Sequence, residues 1–204
     1  MARSFRFRNW SCALPLVVCI AAWSESAARA GEDPVKNSTP AKGEKARDFN
    51  LRSLERQDVS LKSLTAKGPV VVLVLRGYPG YQCPICSRQV GDFLKHAEEF
   101  DAKKATVVLI YPGPSDKLQE HAEEFIRGKT IPQNFHLFID PEYSFINSYG
   151  LRWDALRETA YPSTFVINQD KEVLFSKVSK SHGGRTSAEE VLKALPAPGS
   201  ADRR

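Results

Sequence analysis

The stretch VVVLVLRGYPGYQCPICSRQV, residues 70–90, joins the most apolar run found after residue 30 to two cysteines separated by two residues. The apolar run, residues 69–75, has the length and the β-branched content of a buried strand. A loop rich in glycine, proline and tyrosine follows. Pro84 suits the first turn of a helix, where no intrahelical N–H bond is lost. The stretch therefore predicts a strand, a loop, and a helix that begins at or just after Cys83.

Residues further along the chain extend this pattern. A second β-branched run, ATVVLIY at residues 105–111, has the length of another buried strand. Between the two runs, Val90, Phe93, Leu94 and Ala97 recur at helical spacing, which predicts one helix over about residues 84–100. A strand, a helix and a strand of this length form a βαβ unit with parallel strands.

The remaining part of the domain adds two helices and an antiparallel hairpin. Ser115 is a candidate N-cap for a helix that leads to the apolar run FHLFI at residues 135–139. STFVI and EVLFS flank a turn-like tetrad at residues 168–171, which predicts a hairpin. Ser187 and Glu190 stand in capping-box register for a last helix. The buried positions expected in these two helices are Leu118, Ala122, Phe125, Ile126, Ala188, Val191, Leu192 and Leu195.

The two ends of the chain differ from this domain. Residues 1–30 contain a basic start, an apolar part of about 13 residues and an A-x-A pattern, which is typical of a cleaved secretory signal peptide. That apolar part is too short to span a bilayer, which takes about 20 residues, so no stable membrane insertion is expected. Residues 31–47 have few apolar side chains and predict a flexible tether, and residues 196–204 predict a disordered tail. The folded domain is then residues 48–195, exported to a periplasmic or other extracytoplasmic compartment.

Removal of the signal peptide changes the charge and the cysteine count. Residues 1–30 hold four basic side chains and one acidic side chain, so the formal net charge falls from +5 to +2. A charge this small gives no reason to expect a nucleic acid as partner. Cys12 and Cys19 are lost as well, which leaves Cys83 and Cys86 to pair with each other.

Three roles are open to the two cysteines: thiol redox chemistry, a metal site or a structural staple. A disulfide across two residues closes a very short loop and gives little stabilisation. Zinc takes about four ligands, but the chain has no second C-x-x-C motif and its four histidines are far apart in sequence, so no metal site is predicted. A helix N-terminus favours the thiolate form. The position therefore favours redox chemistry, for which no metal or organic cofactor is required.

Three segments carry a resemblance to a known family. Residues 46–77, the CPIC motif and AYPSTFVINQDKEVLF resemble the thioredoxin-fold redoxins, a superfamily that includes the AhpC/TSA peroxiredoxins. The resemblance covers about residues 46–195. It implies an α/β thioredoxin-like fold, in which a central mixed sheet is flanked by helices and both cysteines lie in the first turn of the helix after the VVVLVL strand.

Two subfamily signatures overlap within this resemblance. Peroxiredoxins carry P-x-x-x-T-x-x-C, and this chain has Pro79 and Cys86 in that register with Cys83 in place of the threonine. Thioredoxin-like proteins carry C-x-x-C and a cis-proline before a strand, and Tyr161-Pro162 resembles that segment. Pro162 stands where many peroxiredoxins have an arginine that helps to activate the peroxide. The resemblance thus implies catalytic roles for the two cysteines, with support from Pro79, Pro84, Tyr161 and Pro162.

Two enzyme functions and one binding function follow from the resemblance. The favoured one is a peroxiredoxin-like antioxidant enzyme, in which Cys86 attacks a peroxide and a thiol reductant, either a protein or a small thiol, closes the cycle. The alternative is a protein disulfide oxidoreductase, in which Cys83 attacks a disulfide substrate. The third possibility is a binding module of the same fold with an inert dithiol.

No spacing argument selects a further site residue. Arg76, Arg152, Arg157 and Arg185 are expected to be solvated surface side chains. The aromatic residues near the motif are expected in the core or at the rim of the site, and His182 in a loop. These rim candidates are Tyr78, Tyr81 and Trp153.

Overall fold

The computed structural model describes residues 38–197, and within this range it has seven strands and six helices. The strands are β1 (Asn50–Ser53), β2 (Asp58–Ser60), β3 (Val70–Val74), β4 (Thr106–Gly113), β5 (Phe135–Pro141), β6 (Ser163–Ile167) and β7 (Val173–Val178). The helices are α1 (Leu61–Thr65), α2 (Pro84–Lys95), α3 (Ala97–Ala102), α4 (Leu118–Ile126), α5 (Ser144–Ser148) and α6 (Ala188–Ala194). The predicted signal peptide lies outside the described residues, as do residues 31–37 of the predicted tether and residues 198–204 of the predicted tail.

All seven strands form one mixed sheet in the order β2-β1-β5-β4-β3-β6-β7. Strand β4 runs parallel to both β3 and β5, which confirms the βαβ unit between the first two predicted strands. Strand β6 pairs with β3 and with β7 in antiparallel register, which confirms the predicted hairpin. The α/β class with a central mixed sheet is therefore as predicted.

Side chains of the central strands alternate between two hydrophobic clusters, one on each face of the sheet. From β3, Val71 and Leu73 join the cluster that contains both cysteines, whereas Val70, Val72 and Val74 join the other. Helices α2, α3, α4 and α6 cover the first face, and α1 and α5 cover the second. Because both faces are covered, the strand can be apolar at every position.

The predicted helix over residues 84–100 is two helices, because the backbone leaves the helical conformation at His96 (φ −101°, ψ 17°). Phe93 and Phe100 then stack with their ring centroids 5.5 Å apart. Seven residues of an unbroken helix would separate them by about 10 Å along the axis. The break thus brings two buried aromatic rings into contact.

The predicted N-cap at Ser115 is wrong. Helix α4 begins after Lys117, which has a left-handed backbone (φ 53°). The backbone N–H of Ser115 instead donates to the carboxylate of Glu142 at 2.8 Å. The capping prediction for α6 is confirmed, since the backbone N–H of Glu190 donates to the Ser187 hydroxyl at 3.2 Å.

The predicted tether is not flexible over residues 38–47. The backbone N–H groups of Gly43 and Ala46 donate to carbonyls of Val173 and Lys171 at 2.8 and 2.7 Å. Ala46 is buried, and Lys45 forms a β-bridge with Glu172. The low apolar content of this segment gave no sign of the pairing, because its contacts with the hairpin are made mainly by the backbone.

Candidate active site

Cys83 and Cys86 lie at the N-terminus of α2, as the sequence predicts. Cys83 is the N-cap residue, Pro84 is the exposed first helical residue, and Cys86 lies within the first turn. Both cysteines are free thiols, with exposed fractions of 3% and 1%. The site therefore presents a buried dithiol to the positive end of a twelve-residue helix.

The pKa of Cys83 is lowered from its ordinary value of 9.0 to about 5. The largest cause is a hydrogen bond from the Cys86 side chain, which outweighs the opposing effect of burial. Backbone N–H groups of Cys86 and Ile85 and the charge of Arg185 lower it further. These contacts favour the thiolate form of Cys83 over that of Cys86.

The sulfur of Cys86 is in a different environment. Its hydrogen bond to Cys83 and its burial raise its pKa well above the ordinary value, so it stays a thiol. The sulfur accepts hydrogen bonds from the Arg76 backbone N–H and from Arg185 Nη1, both at 3.4 Å. Arg185 Nη2 lies 4.0 Å from the Cys83 sulfur. One guanidinium group thus contacts both sulfurs.

Arg185 is held on two sides, contrary to the solvated position expected from the sequence. Its Nη1 donates to the side-chain oxygen of Gln89 at 3.1 Å, and its Nε donates to the carbonyl of His182 at 2.9 Å. Gln89 is itself buried on α2, one turn after Cys86, and its amide nitrogen donates to the Thr186 carbonyl at 3.1 Å. These bonds fix the guanidinium beside the dithiol.

Arg76 is also not a surface arginine, since it is only 2% exposed. Its Nε donates to Glu158 at 2.7 Å, and the other carboxylate oxygen of Glu158 lies 2.9 Å from Nε2 of His182. Burial alone would raise the pKa of Glu158, but the hydrogen bonds from Arg76 and His182 lower it. A hydrogen-bonded Arg76–Glu158–His182 chain, with a charged Arg76–Glu158 pair, is therefore connected to the Cys86 sulfur through the Arg76 backbone N–H.

Arg157 is exposed, as expected. Arg152 is half-buried instead, since its Nη1 donates to the Trp153 carbonyl at 2.7 Å and its guanidinium lies 4.2 Å above the ring of Tyr143.

The loop between β3 and α2 is fixed at both of its ends. Gly77 has φ 71°, and a Cβ at this position would lie 1.8 Å from the Pro112 carbonyl oxygen, so only glycine fits there. Tyr78 stacks on His121 of α4 with ring centroids 3.5 Å apart. Gln82 accepts a hydrogen bond from the buried Tyr111 hydroxyl at 2.9 Å and donates to the His121 carbonyl at the same distance.

Among residues 38–197, the remaining predicted support residues form no hydrogen bond to either cysteine sulfur. Pro79 is half-buried in the loop before α2. Tyr161 stacks on Trp153 with centroids 4.9 Å apart, and the buried Pro162 accepts a hydrogen bond from the Ser179 N–H at 2.8 Å. Tyr161 and Pro162 therefore lie against the loop that carries Arg185, and Tyr81 is exposed at the rim.

Between residues 38 and 197, no three His, Cys, Asp or Glu side chains are grouped so that they could hold a metal ion. Over the same range, no helix has both the length and the apolar character to cross a bilayer.

The sequence pointed to the cysteines but missed Arg185, Glu158 and Gln89. Gln89 could have been inferred, because a residue three positions after Cys86 lies on the same side of a helix. Arg76 could have been suspected, since a charged residue that ends a buried strand needs a partner. Arg185 and Glu158 approach from distant loops, and no local pattern marks them.

A buried dithiol at a helix N-terminus, with one sulfur held as thiolate, defines a thiol-based oxidoreductase. Residues 42–176 match the model of the AhpC/TSA family. The chain therefore belongs to this family, within its peroxiredoxin-like group.

Individual relatives agree with this assignment. The chain is 31% identical over 161 residues to a putative peroxiredoxin, bcp, of Helicobacter pylori, which covers 75% of this chain and 96% of the relative. It is 26% identical over 157 residues to the thiol-disulfide oxidoreductase ResA of Halalkalibacterium halodurans, covering 75% of this chain and 76% of ResA. The crystal structure of peroxidoxin BcpB from Mycobacterium tuberculosis superposes with a TM-score of 0.60 at 24% identity, covering 76% of this chain and 94% of that one. The fold is thus thioredoxin-like, as the resemblance implies.

Proposed function

We propose that this protein reduces small hydroperoxides through a cycle between the Cys83/Cys86 dithiol and its disulfide. The observation that carries the proposal is the position of Arg185, whose guanidinium lies 4.0 Å from the Cys83 sulfur and 3.4 Å from the Cys86 sulfur. A fixed positive charge beside a buried thiolate stabilises the negative charge that develops on the peroxide oxygens as the O–O bond breaks. Arg185 thus takes the place of the arginine that the family has where this chain has Pro162.

The reaction proceeds in two steps. The Cys83 thiolate attacks one peroxide oxygen, the O–O bond breaks, and the other oxygen leaves as alcohol or water after taking a proton. Cys83 is then a sulfenic acid. The Cys86 sulfur attacks it, the S–S bond forms, and water leaves with the Cys86 proton. Two electrons from an external thiol reductant restore the dithiol.

The assignment of Cys83 as the attacking sulfur departs from the peroxiredoxin register, which places that role at Cys86. It is supported by the pKa of about 5 for Cys83, against the raised pKa of Cys86. It is also supported by position, since Cys83 is the N-cap residue of α2 and Cys86 lies further into the first turn. Cys86 is already hydrogen-bonded to Cys83, so the disulfide can close within one helical turn and α2 need not unfold.

Protein disulfide exchange is the second candidate function. The similarity to a thiol-disulfide oxidoreductase and the C-x-x-C order of nucleophile and resolving thiol favour it. Burial argues against it, because a sulfur that is 3% exposed has little room for the sulfur of a folded protein, whereas a small peroxide needs much less. The lowered pKa of Cys83 argues against the third possibility, a binding module with an inert dithiol.

A direct comparison of the two reactions tests the proposal. The reduced protein is mixed with hydrogen peroxide, with an organic hydroperoxide and with a disulfide-bonded protein substrate, and loss of the dithiol is followed by stopped-flow fluorescence or rapid quench. We expect the peroxides to react at least about 100-fold faster than a free thiol of the same pKa, since Arg185 and the helix N-terminus act on the transition state. Faster oxidation by the protein disulfide than by either peroxide would favour protein disulfide exchange over peroxide reduction.

We also propose that the protein acts outside the cytoplasm. The signal-like pattern of residues 1–30 supports this. N-terminal sequencing of the protein recovered from its cellular compartment should give a start near Gly31. Recovery of the intact N-terminus from the cytoplasmic fraction would contradict export.

A further inference from the structure

Arg185 reaches the dithiol from a loop that contains a soft segment. The loop of residues 179–187 joins β7 to α6, and Gly183 and Gly184 precede Arg185 directly. Gly184 has φ 68°, and both glycines are exposed. Two consecutive glycines give this backbone many alternative conformations. The Gly184 carbonyl accepts a hydrogen bond from the Ser179 hydroxyl at 2.9 Å, so the position of Arg185 depends on this bond and on the contacts at both ends of the glycine pair.

The contacts after the glycine pair are buried. The Thr186 hydroxyl is 2.6 Å from that of Thr164 on β6, and the Thr186 carbonyl accepts from Gln89 at 3.1 Å. These bonds tie the end of the loop to the sheet and to α2. They leave the orientation of the long Arg185 side chain to be set by groups that bind its guanidinium.

The contact before the glycine pair is His182, which is bound through two groups at once. Its Nε2 lies 2.9 Å from Glu158 Oε1, and its backbone carbonyl accepts the Arg185 Nε–H at 2.9 Å. The side-chain bond fixes where the carbonyl lies, and the carbonyl in turn orients the guanidinium. His182 thus contacts Glu158 through its ring and Arg185 through its backbone carbonyl.

Glu158 is a rigid anchor for this contact. Its second oxygen accepts from Arg76 Nε at 2.7 Å, and Arg76 is buried and also donates to the Arg157 carbonyl at 2.7 Å. The Arg76 backbone N–H in turn donates to the Cys86 sulfur at 3.4 Å. Hydrogen bonds through Arg76 therefore connect Glu158 to the Cys86 sulfur.

We propose that His182 is a positioning residue, which holds Arg185 against the Cys83/Cys86 dithiol through its bond to Glu158. The inference rests on the proposed function as far as peroxide reduction is concerned, but the position of Arg185 beside the thiolate is independent of the substrate. His182 does not contact either sulfur, and it acts through the orientation of Arg185.

A merely structural role would give a different result. The His182 side chain is 42% exposed, so its contact with Glu158 is open to solvent and contributes little to the free energy of unfolding. Loss of the ring should therefore leave stability nearly unchanged. It should raise the pKa of Cys83, because Arg185 would no longer be held beside the sulfur. A positive charge within about 4–6 Å lowers a thiol pKa by one to three pH units.

The test compares His182→Ala with the conservative variant His182→Gln, which retains a side-chain N–H for Glu158. His96→Ala is the matched control, since His96 forms surface ion pairs with Asp92 and Glu99 on α2 and α3. For each full-length protein, the pH profile of Cys83 alkylation by iodoacetamide is measured by mass spectrometry. The rate with hydrogen peroxide and the denaturation midpoint are measured alongside.

For His182→Ala we expect the pKa of Cys83 to rise by about one pH unit and the peroxide rate to fall about tenfold, with an unchanged denaturation midpoint. His182→Gln should recover most of both losses, and His96→Ala should match the wild type. An unchanged Cys83 pKa in His182→Ala would overturn the proposal, and so would equal losses in the Ala and Gln variants. If the wild type does not react with peroxide, the proposed function fails, but the alkylation profile still tests the positioning role.

Discussion

The two faces of the sheet share the same strands but bury different kinds of side chain. On the cysteine face, the cluster that contains Val71, Leu73 and the dithiol lies beside the buried polar groups of Arg76 and Gln89. On the apolar face, the cluster around Phe138, Phe145 and Phe165 is built mainly from aliphatic and aromatic side chains. Strand β3 thus packs beside the reactive dithiol on one face and contributes to the apolar core on the other.

This division has an energetic reason. Burying a charge is costly unless it is paired, and each buried polar group on the cysteine face has a partner that holds it in one orientation. On the apolar face, the buried carboxylate of Asp140 accepts hydrogen bonds from the backbone N–H groups of Phe145 and Ile146, and the clustered side chains contribute chiefly through packing. Substitutions on the two faces should therefore separate activity from stability.

The largest effect is expected from Cys83→Ser on the cysteine face. A serine hydroxyl does not ionise near neutral pH, so the rate of peroxide reduction should fall at least about 10³-fold. Because the change is nearly isosteric, the free energy of unfolding measured at pH 5, where the Cys83 thiolate contributes little, should change by less than about 1 kcal/mol. Stopped-flow kinetics and denaturant titration measure the two quantities. A variant that keeps a tenth of the wild-type rate would show that Cys83 is not the attacking sulfur.

Phe138→Ala on the apolar face should lower stability and leave the dithiol unchanged. Removal of this fully buried ring should lower the free energy of unfolding by about 3–5 kcal/mol through lost burial and the cavity left behind. The pKa of Cys83, measured by alkylation at a temperature where the variant is folded, should stay near 5. A shift of that pKa together with the loss of stability would mean that the two faces are not separable.

A smaller effect on activity is expected from Arg185→Met, which keeps the length of the side chain and removes its charge. The peroxide rate should fall about 10–100-fold and the pKa of Cys83 should rise, since Arg185 lowers it. Arg185→Lys should be intermediate, because an ammonium group retains the charge without the fork that contacts both sulfurs. Alkylation against pH and peroxide kinetics check both variants. Wild-type rates in Arg185→Met would remove the arginine from the mechanism.

The last prediction is a pH dependence of stability in the reduced protein. The pKa of Cys83 is about 5 when folded and 9.0 ordinarily, so the folded state binds fewer protons between these pH values. The free energy of unfolding should therefore rise as the pH increases from 5 towards 9, and this contribution is lost as the pH falls through 5. Above pH 9 the raised pKa of Cys86 acts in the opposite direction. Denaturant titrations at pH 5, 7 and 9 measure the trend, and Cys83→Ser, which lacks this thiolate, should not show it.

The two faces also differ in how well the sequence predicts them. The apolar run of β3, its partner β4 and the hairpin of β6 and β7 follow from local patterns of apolar residues, and they were predicted within a few residues. The dithiol at the start of α2 followed from a motif and its neighbours. These features depend on residues that are close together in the sequence.

The groups that surround the dithiol depend on long-range contacts. Arg185 is 99 residues from Cys86 along the chain, and Glu158 is 82 residues from Arg76. No periodicity connects them, and an arginine in a polar loop looks the same in sequence whether it is solvated or bound. For the same reason, the backbone pairing of residues 38–47 with the hairpin was missed.

The most direct test of the central claim is to identify the sulfur that peroxide oxidises first. Cys83→Ser and Cys86→Ser are each treated with one equivalent of hydrogen peroxide and a dimedone-type trap for sulfenic acid, and the adduct is located by mass spectrometry. The account predicts a rapid adduct on Cys83 in the Cys86→Ser variant and slow labelling of Cys86 in the Cys83→Ser variant. Rapid labelling of Cys86, with Cys83 labelled only at the rate of a free thiol, would contradict it and restore the roles that the peroxiredoxin register assigns.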